Sequence, residues 1–395
     1  MEETSNRSWS ELPEEIISEI AENVRTRVDT LRVRAVCNNF RSYVPPPKSL
    51  FPHSVLKVTL PEGPTPEKLS EYSLTESTVY AIQPLDETSD LSGRPQTWIV
   101  RVEEIIDSDD QKTCRVRIMD PTYPSIVFDN MSEQLPENFN LLDYRVKELA
   151  KAYDLELDVI YVEGRGIEHR ARANFLLSDA LDVMAFYQRK ISVLRKGEKR
   201  WTQLESLGID SVQYLIYYNN RFYIVDEKGL TVSVDCKSLN VQTIEPPRLA
   251  RVLGTGSKYF AKSDKNLYLI VMYWRCKMPY KKKPATLPVD FDVFKLDETR
   301  NKWVALLNGF EDTVFFLSDS CSYALSADEF PGIRRNCVYF SDSDTSYVKD
   351  PPHPGWVSAV YNVNEDKTRP LSSEDSAYCK LFWPPPPWLK WSTSN

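Results

Sequence analysis

Hydrophobic residues follow two different periods along this chain, a helical one before residue 45 and an alternating one after residue 78. In the first stretch, apolar side chains recur three and four positions apart, which is the spacing of one face of a helix. In the second stretch they occupy every other position over short runs, as half-buried strands do. The pattern predicts a small helical module followed by a large all-β region, which is an α+β fold class.

The first stretch predicts three short helices. Pro13 opens the first, because it fixes φ and has no amide hydrogen, and Asp29 is the expected N-cap of the second. A module of roughly 35 residues has too little interior to bury all of its apolar side chains, so part of this surface is expected to bind a partner. The alternative is a three-helix cap that packs on its own downstream domain. The apolar positions of the three helices are Ile16, Ile17, Ile20 and Val24, then Leu31 and Val33, then Val36, Cys37 and Phe40.

The second half of the chain suggests a loose internal repeat. Each unit has a strand, a longer loop, a strand that ends in an acidic turn, and a strand opened by Trp or Pro. Trp201 and Trp303 lie about 100 residues apart, which suits two units of about 50, near the period of kelch-type propellers. A β-sandwich, or two smaller β-domains, is the alternative.

A proline-rich linker and one further helix complete the predicted elements. The prolines within residues 45–74 cannot continue a helix, so this range is predicted to be a linker, with one short strand in residues 54–60. The run from Leu141 to Leu149 has helical spacing and favours a helix inside the β region.

Composition narrows the classes of function. A net charge of −8 argues against general affinity for nucleic acid. No apolar run reaches the roughly 18 residues of a membrane helix, and the polar start of the chain does not read as a secretory signal. Seven cysteines without a CxxC pair favour reduced thiols in the cytosol or nucleus over a disulfide framework or a zinc site.

Residues for catalysis are scarce. Nucleophilic catalysis with a histidine base would need His53, His169 or His353, and these are interpreted as loop residues. The segment 253–258 lacks the spacing of a phosphate-binding loop and is interpreted as a hairpin or bulge. No catalytic residue, metal site or cofactor is therefore predicted. A hydrolase or lyase built on a propeller is a further, weaker alternative.

The N-terminal stretch resembles an F-box. The family pattern has a Leu-Pro pair that opens an amphipathic helix, a second helix rich in leucine and arginine, and Val-Cys followed by Trp. Here these positions hold Leu12-Pro13, the segment 31–33, Val36-Cys37 and, in place of Trp, Phe40. Phenylalanine keeps an aromatic anchor there but has a smaller area and no indole N–H.

The remainder resembles the large C-terminal domain of many plant F-box proteins. The closest signature is Ser326, Asp328, Phe330, Pro331 and Gly332, followed by the segment 336–340. Glu329 is an insertion relative to that pattern. The proline run between Trp383 and Trp388 also resembles the end of that family; we interpret it as docking on the protein's own surface rather than as a ligand for SH3-like grooves.

The resemblance implies an F-box in residues 1–44, a linker in 45–74 and a kelch-like β-propeller in 75–395. It implies a substrate adaptor of an SCF-type ubiquitin ligase in the nucleus or cytoplasm. The F-box would bind a Skp1-type protein, which a cullin scaffold holds, and the propeller would bind a protein target. A scaffold protein outside ubiquitination is the alternative. The residues expected to contact the Skp1-type protein are Leu12, Pro13, Ile16, Ile20, Leu31, Val36, Cys37 and Phe40.

A basic cluster interrupts the repeat. Lys281, Lys282 and Lys283 lie in a proline-flanked insertion of an otherwise acidic chain. They are interpreted either as solvated loop residues, or as a target-binding patch, or as a nuclear-import signal.

Overall fold

A small cluster of helices precedes a long series of strands in the computed structural model. The residues that the structure describes are 9–24, 26–46, 56–59, 71–85, 97–106, 114–123, 126–128, 131, 143–157, 160–162, 165–167, 174–178, 182–187, 190–198, 200–204, 208–209, 211–247, 256–274, 289–307, 309–341, 351–371 and 381–389.

The N-terminal segment is helical, as the spacing predicts. A short 3₁₀ helix, Trp9–Glu11, precedes the α-helices α1 (Glu14–Asn23), α2 (Arg27–Arg34) and α3 (Asn38–Tyr43). The prediction that Asp29 caps α2 is wrong. Thr26 is the N-cap, because its hydroxyl accepts the Asp29 amide at 3.0 Å and donates to the Asp29 carboxylate at 2.7 Å.

A six-stranded antiparallel sheet follows. Strand β2 lies beside β1 and β3 on one side and pairs along nearly its whole length with β6 on the other. The strands are β1 (Leu56–Thr59), β2 (Glu71–Pro84), β3 (Trp98–Ile106), β4 (Cys114–Met119), β5 (Val127–Phe128) and β6 (Tyr144–Leu157). Strand β1 and the start of β2 fall inside the range predicted as a linker, and the domain boundaries themselves stay a prediction.

The prediction of a helix from Leu141 to Leu149 is wrong. Its described residues begin with a turn at Asp143 and continue into β6. Tyr144 and Val146 are buried, whereas Arg145 is exposed, so the segment alternates as a strand. Pairing with β2, about 60 positions away, overrides the local helical spacing.

Three four-stranded antiparallel meanders form the middle of the β region, after the small hairpin β7 (Ile160–Val162) and β8 (Arg165–Ile167). The first has β9 (Asn174–Leu177), β10 (Val183–Tyr187), β11 (Lys190–Leu194) and β12 (Thr202–Leu204). The second has β13 (Val212–Tyr218), β14 (Arg221–Asp226), β15 (Thr231–Asp235) and β16 (Val241–Ile244). The third has β17 (Ser257–Lys262), β18 (Leu267–Trp274), β19 (Val289–Asp297) and β20 (Lys302–Ala305).

The repeat inferred from the tryptophans is confirmed by these meanders. Trp201 directly precedes β12 and Trp303 is the second residue of β20, so each lies at the start of the fourth strand of a meander, two meanders apart. Short turns join the adjacent strands of the second meander. In the third meander they join β17 to β18 and β19 to β20, whereas residues 275–288 separate β18 from β19. In both meanders the inner strands carry buried apolar residues. The meander is thus the repeating unit of the fold.

The last strands continue from the third meander. They are β21 (Thr313–Phe316), β22 (Tyr323–Ser326), β23 (Cys337–Ser341), β24 (Ser358–Asn362) and β25 (Lys367–Pro370). Strand β17 meets β22 in parallel, and β21 meets β23 in parallel. These parallel contacts join neighbouring antiparallel units into one nine-stranded sheet.

Residues 381–389 pack against the first sheet. Phe382 is buried in one cluster with Val79 and Ile99 of that sheet and with Phe316 and Tyr339 of the last strands. The Trp98 indole N–H donates to the Phe382 carbonyl at 2.8 Å. Trp383 and Trp388 pack on the cluster that contains Trp98, which confirms that the proline run docks on the protein's own surface.

The inserted Glu329 also joins distant parts of the chain. Its carboxylate accepts from Arg145 Nη2 at 2.8 Å and from Lys147 Nζ at 3.0 Å, both on β6. Lys147 Nζ also donates to Asp264, in the turn between β17 and β18, at 2.7 Å. The insertion therefore links the loop after β22 to the first sheet and, through Lys147, to the third meander.

Truncation of Phe382 should destabilise the whole β region. We expect Phe382→Ala to lower the free energy of unfolding by about 3–5 kcal/mol, because it removes a buried ring from the contact between the first and last sheets. Leu307→Ala is the matched control, since Leu307 is 86% exposed, and should change it by less than about 0.5 kcal/mol. Urea unfolding followed by tryptophan fluorescence measures both, and equal midpoints for the two variants would contradict this closure.

Removal of the Glu329 charge should have a small, salt-dependent effect. We expect Glu329→Gln to cost about 1 kcal/mol or less at low salt, because the ion pairs are partly exposed, and less at high salt. Asp328→Asn is the control: Asp328 pairs only with Arg335 among the described ion pairs, within the same loop. Thermal melts at two salt concentrations would show an effect of salt on Glu329→Gln but little on Asp328→Asn; the reverse result would refute the assigned role.

Candidate functional site

The first helix divides its apolar residues between two sides. Pro13 directly precedes α1, and Glu14 and Glu15 occupy its first turn, where negative charge complements the positive end of the helix dipole. Ile17 is fully buried, whereas the neighbouring Ile16 is 42% exposed. The helix is amphipathic, and its apolar stripe is wider than the interior that it covers.

Helices α2 and α3 complete the interior of the module. Phe40 is buried with Ile17 and Val44, and Val33 packs against them from α2. An Arg34 guanidinium N–H donates to the Val44 carbonyl, which fixes the end of α3 against α2. These residues hold the three helices together.

Exposed large apolar side chains are concentrated on the helices. Half of the ten large apolar side chains that are exposed among the described residues lie in this short segment. Their exposed fractions run from 39% for Leu31 to 68% for Trp9. Exposed apolar residues concentrated in one small module are the property by which a candidate interaction surface is recognised. We call this set the apolar face; it consists of Trp9, Ile16, Leu31, Val36 and Tyr43.

The predicted contact residues fall into three groups. Ile16, Leu31 and Val36 belong to the apolar face, and Pro13 is exposed beside it in sequence. Leu12, Ile20 and Cys37 are partly buried against the module interior, and Phe40 lies within it. Their contact with a partner stays a prediction.

Sequence reasoning did not select two residues of the apolar face. Trp9 lies in the 3₁₀ helix before the Leu-Pro pair, and Tyr43 ends α3, three positions after Phe40. The sequence does contain a signal that could have identified them. An aromatic side chain stands at each end of the helical stretch, and a module of this size is too small to bury both.

The buried polar residues of the β region connect its sheets. Arg101, on β3, is fully buried. Its Nε and Nη2 atoms donate to Ser77 Oγ at 3.0 and 2.8 Å, and its Nη1 atom donates to Ser320 Oγ at 3.0 Å. Because Ser77 lies on β2 and Ser320 in the turn between β21 and β22, these bonds link the first sheet to the last.

A buried carboxyl makes a second link of this kind. Asp120 follows β4 and accepts from the amides of Thr122 at 2.9 Å, Tyr123 at 3.0 Å and Gly355 at 2.6 Å. Burial raises the pKa of the Asp120 carboxyl, against the lowering effect of these donors. Gly355 precedes β24, so the carboxyl fixes the loop before that strand to the first sheet.

Other candidate residues are distributed as follows. His353 contacts the Pro354 carbonyl at 2.9 Å and packs edge-on against Trp356. His53, His169, the segment 275–288 with Lys281, Lys282 and Lys283, and residues 251–255 lie outside the described residues. Two further properties of the described residues concern metal binding and membrane insertion. Among them, no three His, Cys, Asp or Glu side chains are close enough together to hold a metal ion. Nor does any helix there have the length and apolar character needed to cross a membrane.

Known proteins resemble the chain along most of its length. The pattern of the family described as "KIB1-4 beta-propeller" matches residues 71–362. F-box protein SKIP23 of Arabidopsis thaliana is 24% identical over 96% of this chain and 95% of its own length. F-box protein At2g17036 of the same plant is 26% identical over 96% and 94%, and F-box/kelch-repeat protein At1g64840 is 23% identical over 90% and 87%.

The family match begins at the first residue of β2 and ends at the last residue of β24. The curated relatives extend the likeness over the N-terminal helices. The chain therefore belongs to the KIB1-4 β-propeller family and is a plant-type F-box protein with a C-terminal propeller domain.

Proposed function

We propose that the protein is the substrate-recognition subunit of an SCF-type ubiquitin ligase. The observation that supports the proposal is the apolar face, in which five large apolar side chains are exposed to solvent within one small helical module. The relatives named above are also F-box proteins. The helices would bind a Skp1-type protein, which a cullin scaffold holds. The propeller would bind the protein that is to be modified.

In this role the protein has no bond-making chemistry of its own. It raises the rate of ubiquitin transfer by holding a target lysine near the ubiquitin-conjugating enzyme, which replaces a bimolecular encounter by a local one. No cofactor is required for this function. The work would take place in the nucleus, the cytoplasm or both.

The predicted contact residues act in two ways in this proposal. Ile16, Leu31 and Val36 bind the Skp1-type protein directly, together with Trp9 and Tyr43. Leu12, Ile20, Cys37 and Phe40 support them from the module interior, where they are packed. Phe40 therefore serves as the internal aromatic anchor of the three helices.

The residues that flank the basic segment lie at one end of the third meander. Lys147, Asp264 and Glu329 meet at one end of the strands, which we call the near rim. Trp274 pairs with Val289 at the opposite end of the third meander, the far rim. The segment that carries Lys281, Lys282 and Lys283 begins and ends at the far rim. We propose that this basic segment attracts an acidic target there.

Truncation of side chains in the apolar face should weaken partner binding without unfolding the chain. We expect Ile16→Ala and Leu31→Ala each to weaken affinity for a Skp1-type protein by about 1–2 kcal/mol, or five- to thirtyfold, because both side chains leave water on binding. Val304→Ala, an exposed apolar residue of β20, is the control. Isothermal titration calorimetry with purified proteins measures the affinities, and unchanged values for both helical variants would exclude this surface.

The Leu-Pro pair offers a second measurement of partner binding by the helices. Simultaneous replacement of Leu12 and Pro13 with alanine should cost on the order of 2–4 kcal/mol of binding, because it alters both the packing and the start of α1. If the unmodified chain captures a cullin together with the Skp1-type protein, it is a ligase subunit. If it captures no cullin, the alternative of a scaffold protein outside ubiquitination is favoured. Full capture by the double variant would count against the F-box role.

Replacement of Lys281, Lys282 and Lys283 with serine should remove the salt-sensitive part of target binding, because charge attraction to an acidic partner is screened by salt. Proteins captured at low and high salt are compared by mass spectrometry, with the Skp1-type protein as the internal control. Partners that stay bound while the protein leaves the nucleus would identify the lysines as an import signal instead.

A further inference from the structure

The helical module does not pack only on itself. Val28 of α2 is 7% exposed, and it is buried in a cluster of the β region rather than in the module interior. Ile82, Trp98 and Val146 of the first sheet belong to this cluster, as does Leu389 near the end of the chain. One side chain of α2 is therefore a core residue of the propeller domain.

A hydrogen bond fixes the direction of this contact. The Val28 amide donates to Glu148 Oε1, on β6, at 3.2 Å. Val28 is the second residue of α2, and amides in the first turn of a helix have no partner within the helix. A carboxylate at that end is also favoured by the helix dipole. Glu148 thus satisfies an amide of α2 from outside the module.

Three residues of α2 lie in three different environments. Val28 contacts the β region, Val33 packs on the module interior, and Leu31 is 39% exposed on the apolar face. Partner binding at Leu31 therefore does not compete with the contact at Val28. The helices can hold the propeller and a partner at the same time.

We propose that Val28 and Glu148 are positioning residues that lock the helical module onto the propeller, so that a partner bound at the apolar face has a fixed orientation relative to the target-binding domain. The orientation of a Skp1-type partner rests on the proposed function; the lock itself does not. A rigid connection keeps a bound target at one distance from the conjugating enzyme, which is the condition for catalysis by proximity.

The test measures the distance between module and propeller in the full chain. Spin labels are attached through p-acetylphenylalanine at Glu22 of α1 and Lys302 of β20, both exposed, and pulsed electron paramagnetic resonance gives the distance distribution. Val28→Asp places a charge in the apolar cluster beside Glu148, and Leu31→Asp places the same charge on the apolar face of the same helix. Affinity for a Skp1-type protein is measured on each variant.

We expect a narrow distribution for the unmodified chain and one at least about twofold wider for Val28→Asp, with affinity changed less than about threefold. Leu31→Asp should show the opposite: an unchanged distribution and affinity reduced at least about tenfold. If Val28→Asp fails to melt cooperatively, Val28→Ala and Glu148→Leu are measured instead. Both are expected to widen the distance distribution between the two spin labels.

A distribution that is already wide in the unmodified chain, or equally narrow in all variants at Val28 and Glu148, would overturn the lock. Absence of binding to a Skp1-type protein in the unmodified chain would instead overturn the proposed function. In that case a narrow distribution that widens in Val28→Asp still supports the lock.

Discussion

The contact between the first sheet and the end of the chain is the constraint on which the fold depends. A series of antiparallel units has two open edges unless its first and last members meet, and open edges pair with other chains. Here Trp98 donates to the Phe382 carbonyl, and the Phe382 ring lies edge-on to Phe316 and Tyr339. Arg101, through Ser320, adds a polar link between the same regions. Leu381, Phe382 and Leu389 are therefore part of the core.

The helical module distributes its apolar residues according to what can cover them. Ile17, Phe40 and Val44 cover one another, and Val28 is covered by the β region. The apolar face is left over, because about 35 residues enclose too small a volume to hide it. A module of this size gains stability from surfaces outside itself, and the propeller provides one such surface. The second is the one that a partner protein would provide.

The sequence allowed the strands and their repeat to be predicted where the signals were local. Alternating apolar residues and short polar turns identified β14 with β15 and β19 with β20, and Gly229, at φ +86°, occupies a turn conformation that other residues rarely adopt. The N-terminal helices were predicted for the same reason, although the cap was not. Thr26 and Asp29 are three positions apart and bond to each other, so composition alone favoured the wrong one.

What was missed depends on contacts between distant parts of the chain. The segment from Leu141 has spacing that suits both a helix and a strand, and only the partner strand β2 decides between them. Glu329 looked like an insertion in a loop, yet it pairs with residues of β6. Val28 was not among the residues selected from the sequence, and its cluster lies in the propeller. None of these partners is within reach of a local pattern.

These distant contacts converge on β6. Two consecutive residues of that strand serve two different connections: Lys147 bonds to Glu329 and Asp264, and Glu148 accepts from the amide of Val28. Tyr144, at the start of the strand, packs on Trp388. The strand that pairs along nearly all of β2 is thus in contact with the loop after β22, the third meander, the segment 381–389 and the helices. Any change that displaces β6 should loosen the helices and the ring of strands together, because the same strand is bonded to both.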